Sequence, residues 1–214
     1  MQQSPYARTK AITWKIAVQD HIFLFKLGLG VILLCGLLAF LPFFFEHIEQ
    51  RSGPILRDVL LKLLPAMDMS VPLFITIWGT SVLLIYRCYA KPQLLLSALY
   101  SFIFVIAART ICIELVALDP PARLTPLVDP ISNYFYGKEN FVTKDLFFSG
   151  HCATMYLVFF SLNEKRDRMI ALTAALLVTV FVLVQHVHYT MDVLAAPLFS
   201  YMCCRLGKKV AQPV

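Results

Sequence analysis

The apolar residues of this chain lie in long runs that contain no charged side chain. A helix needs roughly 17–25 predominantly apolar residues to cross a bilayer, and five runs come close to or within that range. A sixth run, 193–204, reaches it only if its helix begins near Tyr189. The five longer runs are Leu27–Phe45, Met69–Tyr86, Pro92–Ala108, Leu146–Asn163 and Met169–Met191.

This pattern predicts an all-α fold, an integral membrane bundle of six transmembrane helices. The fourth span is the shortest, and a tight turn near residues 187–190 must join the last two. We expect a single transmembrane domain over residues 22–206, between an N-terminal segment, 1–21, and a C-terminal tail, 207–214. The predicted spans are 22–45, 69–87, 93–116, 150–163, 169–187 and 189–206.

The composition supports a membrane protein. Hydrophobic residues make up 59% of the 214 positions and charged residues 15%, with a mean hydropathy of +0.71. Soluble domains carry about a quarter charged residues, which they need to cover their surface. The composition therefore excludes an ordinary soluble domain, and the 17 Phe and 9 Tyr exclude a disordered chain.

The net charge of +6 becomes informative once it is divided between the two sides of the membrane. With the N-terminus in the cytoplasm, the cytoplasmic segments hold 12 basic and three acidic residues, and the opposite side holds six basic and eight acidic residues. This bias follows the positive-inside rule. It predicts cytoplasmic termini and makes nucleic-acid binding unnecessary as an explanation of the basic residues.

Two segments on the predicted outer side are substantial. Residues 46–68 alternate apolar and charged side chains, which predicts an amphipathic helix at the outer interface or packed over the bundle. Residues 117–149 contain Pro120, Pro121, Pro126 and Pro130, which predicts an irregular loop.

His188 and Asp192 are four residues apart, so a helix would place them on one face. A carboxylate there can accept the imidazole N–H, fix the tautomer and free the other ring nitrogen as nucleophile or base. The alternative is a structural His–Asp pair at a helix end, in which each side chain only satisfies the hydrogen-bonding needs of the other. His186, two residues before His188, suggests a metal site, but residues two apart do not share a helix face, and we expect no metal.

Ser149-Gly150-His151 opens the fourth predicted span. A helix N-terminus presents free N–H groups to an anion, Ser149 adds a hydroxyl, and His151 can protonate a leaving oxygen. A capped helix start explains the same tripeptide. The charge count, made independently of these motifs, places both of them at the outer membrane surface. Together they suit phosphoryl transfer through a phosphohistidine.

The two motifs, Asp145-Leu146-Phe147-Phe148-Ser149-Gly150-His151 and His188-Tyr189-Thr190-Met191-Asp192-Val193, resemble the sphingomyelin-synthase-related branch of the type 2 phosphatidic acid phosphatase superfamily. The resemblance covers about residues 20–206. It implies that His188 is the nucleophile, that Asp192 orients it and that His151 is the leaving-group acid, with no metal or other cofactor.

The chain departs from the phosphatases of that superfamily. It lacks their Lys-and-Arg-Pro string before Ser-Gly-His and has Phe181-Val182 where they place Ser-Arg, basic residues that the transferase branch also lacks. It departs from the transferase branch at Cys152, where a Thr usually follows the histidine. Arg109 is our candidate for the missing phosphate-binding cation, with a structural ion pair to Glu114 or Asp192 as the alternative. Arg109 and Asp145 join Ser149 and Gly150 as predicted substrate-binding residues.

Other polar residues of the outer loop have less specific roles. Asp145 could orient a catalytic histidine or attract a cationic headgroup. The basic residues could bind a headgroup or be solvated charges; they are Arg123, Lys138 and Lys144.

These observations predict a lipid phosphotransferase that acts in the extracytoplasmic leaflet. It would move a phosphoryl or phosphoalcohol headgroup from a phospholipid donor to a lipid hydroxyl such as ceramide or diacylglycerol. One alternative is a phosphatase or phospholipase, in which water is the acceptor. Another is a channel or transporter that uses the same charges as a pathway.

Overall fold

The computed structural model describes residues 13–127 and 142–212, and within these ranges the secondary structure is entirely helical. Lys138 and the central part of the predicted outer loop lie outside them, as do residues 1–12 of the predicted cytoplasmic segment. The eight helices of the described residues are α1 (Trp14–Ala17), α2 (His21–Glu49), α3 (Val59–Leu63), α4 (Ser70–Ala90), α5 (Pro92–Leu115), α6 (Gly150–Ser161), α7 (Lys165–Val184) and α8 (Thr190–Ala211).

Six of these helices coincide with the six predicted spans. Local signals explain where several of them begin. The Asp20 carboxylate accepts a hydrogen bond from the Ile22 N–H at 2.9 Å at the start of α2, and Pro92 occupies the first turn of α5, where its missing N–H costs nothing. Ser149 caps α6. The all-α class is therefore confirmed.

Four helices, α2, α4, α5 and α7, are long and apolar enough to cross a membrane. α6 has 12 residues, which make a helix about 18 Å long, short of a hydrocarbon core of roughly 30 Å. α8 has 22 residues, but Asp192 in its first turn and Arg205 near its end lower its mean hydropathy. Each of the six predicted spans therefore contains a helix in the described residues, while six membrane crossings remain a prediction.

The segment predicted as an amphipathic helix is helical over only part of its length. α2 continues to Glu49, and the next helix, α3, has five residues. Gly53 and Pro54 interrupt the segment between them. A side chain at Gly53 would collide with the backbone of Ala117, and the Pro54 carbonyl accepts the Asp119 N–H at 3.3 Å. The outer amphipathic helix is therefore not confirmed beyond α3.

α5 is the central helix, and it packs against α2, α4, α6 and α8. Its approach to α8 is close because position 207 is glycine: a Cβ there would collide with Ser101 and with the Ser97 carbonyl. α2 is peripheral and exposes large apolar side chains, such as Phe25, Ile32 and Phe43. Such a surface is suited to lipid rather than to water.

One end of the bundle, which we call the histidine end, gathers the segments that carry both motifs. There the ends of α2, α5 and α7 meet the starts of α4, α6 and α8. The Arg51 guanidinium donates to the Glu114 carbonyl at 2.9 Å, and the Met69 N–H donates to the Gln185 side chain at 3.1 Å. At the opposite end, Arg87 pairs with Asp167 at 2.7 Å and Lys91 pairs with Glu164 at 3.2 Å.

Candidate active site

His188 lies in the short connection between α7 and α8, with its Nδ1 3.4 Å from Asp192 Oδ2. Both side chains are buried. The predicted proximity is present, but the two residues do not share a helix. α8 begins at Thr190 with Tyr189 as its N-cap, so His188 precedes the helix and Asp192 sits in its first turn.

The Asp192 carboxylate has a second role that keeps it in place. Its Oδ2 also accepts the Tyr189 N–H at 2.9 Å, which caps α8. A helix N-terminus favours negative charge because its N–H groups point outward. The backbone therefore fixes the carboxylate beside the imidazole of His188.

His151 is the second residue of α6, and its ring centroid is 6.4 Å from that of His188, with an angle of 62° between the ring planes. The Phe74 ring lies 6.1 Å from His151 on another side. A backbone bond joins the two motifs directly, because the Ser149 N–H donates to the Asp192 carbonyl at 3.1 Å. The structure thus brings together the two motifs that the sequence placed at one surface.

Arg109 reaches the start of α6 from α5. Its Nη2 is 2.6 Å from Asp145 Oδ1, and its Nε donates to the Phe148 carbonyl at 2.9 Å. The guanidinium lies against Gly150, where any side chain would collide with it. Any Cβ at position 150 would therefore displace the guanidinium from its place beside the start of α6.

The alternative partners expected for Arg109 are wrong. Glu114 pairs instead with Arg51, at 3.4 Å, and with His47, at 3.6 Å. α5 ends at Leu115, so Glu114 lies at its end among the residues that follow α2. The carboxylate that meets Arg109 is Asp145, which the sequence analysis had assigned to a histidine or to a headgroup.

Asp145 is ionised in this setting. Burial by itself would raise the pKa of its carboxyl group, but the adjacent Arg109 guanidinium and the nearby His188 and His151 outweigh burial and lower the pKa. The site therefore contains an ion pair between Arg109 and Asp145, close to both His188 and His151.

The other predicted binding residues are mostly engaged in structure. The Ser149 hydroxyl accepts the Cys152 N–H at 3.4 Å as the cap of α6. Lys144 pairs with Asp119 at 3.0 Å and also hydrogen-bonds to the Arg51 carbonyl. Arg123 is exposed and has no ion-pair partner among residues 13–127 and 142–212.

Two residues near the site were not identified from the sequence. Asp58 accepts the Thr190 N–H at 2.7 Å and the Thr190 hydroxyl at 2.9 Å. The Tyr189 hydroxyl accepts the Leu56 N–H at 3.2 Å and donates to the Asp119 carbonyl at 2.8 Å. An aspartate directly before an apolar run is a helix N-cap signal, and it could have identified Asp58 as the cap of α3, though not its bonds to Thr190.

Residues 144–209 match the family model described as PAP2 superfamily C-terminal. The match includes both histidine motifs and leaves Arg109 outside. It supports the type 2 phosphatidic acid phosphatase superfamily, whose members are mostly phosphatases and phosphotransferases, and so supports an enzyme that acts on lipids. No curated protein and no solved structure matches the chain.

Proposed function

We propose that the protein is a membrane-integral lipid phosphotransferase that works through a phosphohistidine at His188. The observation that carries the proposal is the pair of histidine rings 6.4 Å apart, one of them against a buried carboxylate. Hydrogen bonds of roughly 2.6–3.2 Å from each ring to one phosphate group are compatible with this separation. The match over residues 144–209 supports the same class of chemistry.

In the proposed first step, His188 Nε2 attacks the phosphorus of the donor lipid. Its Nδ1 faces Asp192, which favours the tautomer with the proton on Nδ1 and leaves the Nε2 lone pair free. The bond between phosphorus and the donor alcohol breaks, and His151 gives the leaving oxygen a proton. The phosphoryl group, with or without its headgroup alcohol, remains bound to His188.

In the second step the acceptor hydroxyl takes the place of the leaving alcohol. His151, now neutral, removes the proton of that hydroxyl as its oxygen attacks phosphorus. The P–N bond breaks and its electron pair returns to His188 Nε2. The Asp192 carboxylate stabilises the positive charge that the His188 ring carries while phosphorus is bound to it.

Arg109 supplies the positive charge for the phosphate. Its Nε and Nη2 are occupied by Phe148 and Asp145, whereas Nη1 makes no hydrogen bond to any residue in the described part of the chain. Nη1 also lies against Gly150 at the start of α6. Its N–H groups are therefore available to a phosphate oxygen at the N-terminus of that helix.

We favour a lipid hydroxyl as acceptor, with ceramide and diacylglycerol as the candidates. The chain lacks the additional cations with which the phosphatases of the superfamily bind a free phosphate monoester, and one arginine is better matched to a phosphodiester. Water as acceptor, giving phosphatase or phospholipase activity, is the second candidate, because the family match covers hydrolases as well. We place the site at the extracytoplasmic face, since the positive-inside rule orients the histidine end outward.

The test uses purified protein and a headgroup-labelled phosphatidylcholine or phosphatidylethanolamine, with and without ceramide or diacylglycerol. Transfer predicts label in a new lipid that appears only with the acceptor; hydrolysis predicts water-soluble label without it. His188→Ala should abolish either product, while His47→Ala, an exposed histidine at the same end, should retain it. Absence of any product with the wild-type protein across these lipids would contradict the proposal.

A further inference from the structure

A cavity of about 500 Å³ opens at the histidine end, outside the histidine pair. The apolar part of its wall comes mainly from the segment before and within α3 and from the segment after α5, including Leu56, Leu61 and Pro121. Tyr189 and His186 form its inner side. His188 and Arg109 are not among its lining residues, so the cavity adjoins the candidate active site without containing it.

Positive charge predominates around this cavity. Arg57, Lys62 and Arg123 line it, their side chains are exposed, and none has an ion-pair partner in the ranges that the structure covers. Asp58 is the acidic residue of the wall, and its carboxylate is already engaged by the Thr190 N–H and hydroxyl. Among the described lining residues, the three cations thus face a cavity in which the Asp58 carboxylate has other partners.

The same cavity is bordered by apolar surface. Ile55 lines it and is 59% exposed, and Val59 and Leu63 on the adjacent helix α3 are 72% and 77% exposed. Exposed apolar side chains beside basic residues are characteristic of protein surfaces that contact anionic lipid, in which acyl chains meet the former and headgroups the latter. A soluble anion would use the cations and leave this apolar border without a role.

We propose that this cavity, the basic cavity, binds a second lipid with an anionic phosphate-bearing headgroup, distinct from the substrate at His188. Arg57, Lys62 and Arg123 hold the headgroup, and the acyl chains lie along Ile55, Val59 and Leu63. The inference concerns binding alone and is independent of the proposed transferase reaction.

The experiment measures lipid binding by native mass spectrometry on detergent-solubilised full-length protein. All proteins carry His188→Ala, so that no lipid is turned over. The probes are dioleoyl phosphatidylglycerol, dioleoyl phosphatidylcholine and inorganic phosphate. The variant Arg57→Gln/Arg123→Gln removes two cations of the cavity, and Lys165→Gln/Arg166→Gln removes two exposed cations at the opposite end of the bundle.

We expect the cavity variant to bind phosphatidylglycerol roughly tenfold more weakly, since charge-assisted contacts to phosphate are strong. The matched variant should bind it like the parent, and phosphatidylcholine should bind less than phosphatidylglycerol to the parent. An equal loss of phosphatidylglycerol binding in both double variants would overturn the proposal. Displacement of the lipid by equimolar inorganic phosphate would overturn it as well, because it would identify a free anion as the ligand. All four substituted side chains are exposed, and a melting curve for each variant checks that it folds.

Failure of this proposal and failure of the proposed function can be told apart. The binding measurement contains no turnover, and the transferase assay leaves the cavity residues intact. If the protein turns over no lipid but its lipid binding depends on Arg57 and Arg123, the proposal of the basic cavity stands and the proposed reaction fails. If it turns over lipid but its binding does not depend on these two residues, the proposed reaction stands and the proposal of the basic cavity fails.

Discussion

Arg109 and Asp145 form an ion pair of 2.6 Å between the central helix and the segment that leads into the Ser-Gly-His motif. The pair fixes the start of α6 through the Phe148 carbonyl and leaves one guanidinium nitrogen directed towards Gly150. A positive charge is thereby held next to His151 on a rigid element. In the proposed reaction, this guanidinium supplies the positive charge that faces the phosphate.

Replacement of Arg109 should reduce turnover and also lower stability, because Asp145 and the Phe148 carbonyl lose their partner. Removal of a single hydrogen-bond donor that stabilises a transition-state oxyanion costs about 10²–10³ in rate, so we expect a loss of at least that order for Arg109→Gln. Arg109→Lys keeps the charge but cannot bond Asp145 and Phe148 while also presenting a donor to phosphate. Turnover of labelled lipid by both variants is the measurement, and full activity of the lysine variant would contradict this role.

Gly150→Ala should destabilise the protein because its Cβ would collide with the Arg109 guanidinium. Overpacking of this kind costs about 1–3 kcal/mol, and the displaced arginine should lower activity as well. Gly79→Ala is the matched control, since a Cβ at that helical position meets nothing within 4 Å. Thermal melting in detergent should show a lower midpoint for the first variant and an unchanged or higher one for the second.

Asp58→Asn should weaken the attachment of α3 to the start of α8. The carboxylate accepts both the N–H and the hydroxyl of Thr190, and an amide can accept through only one of its two positions. Loss of one hydrogen bond of this kind costs about 0.5–1.5 kcal/mol. We expect a lower melting midpoint and a moderate loss of turnover, and a variant that melts and turns over like the wild type would refute this attachment.

The same residue gives a pH dependence. Burial raises the pKa of Asp58, but hydrogen bonds from Thr190, Leu61 and Leu60 outweigh it and lower the pKa below 3.8. The stabilisation is therefore present above the unfolded value and is lost as the pH falls through the lower folded value. Melting curves from pH 6 down to pH 3 should show the wild type losing its advantage over Asp58→Asn at the acidic end. A constant difference across this range would count against an ionised Asp58.

The orientation can be measured with a membrane-impermeant maleimide on intact cells. In a background with the native cysteines replaced, Arg123→Cys at the histidine end should be labelled from outside. Lys165→Cys, exposed at the opposite end, should be labelled only after permeabilisation. The reverse pattern would invert the topology and place the candidate site at the cytoplasmic face.

The positions of the helices could be predicted from the sequence because a helix that crosses a membrane needs a long run of apolar residues without charges. The fourth predicted span shows the limit of that signal. It was expected over 150–163, and α6 covers Gly150–Ser161, so composition gave the position of the helix but not whether 12 residues can cross a bilayer.

Half of the candidate site follows from local sequence and half does not. His188 and Asp192 are close because they lie four positions apart along the chain, even though the helix begins only at Thr190. Arg109 and Asp145 are 36 residues apart, and Asp58 and Thr190 are 132 apart. Such pairings depend on how the helices pack, which periodicity and spacing do not contain.

The central claim, that His188 carries the phosphoryl group, is tested most directly by trapping the intermediate. The protein is mixed with a phosphorus-labelled donor lipid in the absence of acceptor, quenched at alkaline pH to preserve phosphohistidine, and digested for mass spectrometry. The account predicts label on the peptide that contains His188, and none in His188→Ala or when the donor is omitted. Label on another residue, or lipid turnover by His188→Ala at the wild-type rate, would contradict it.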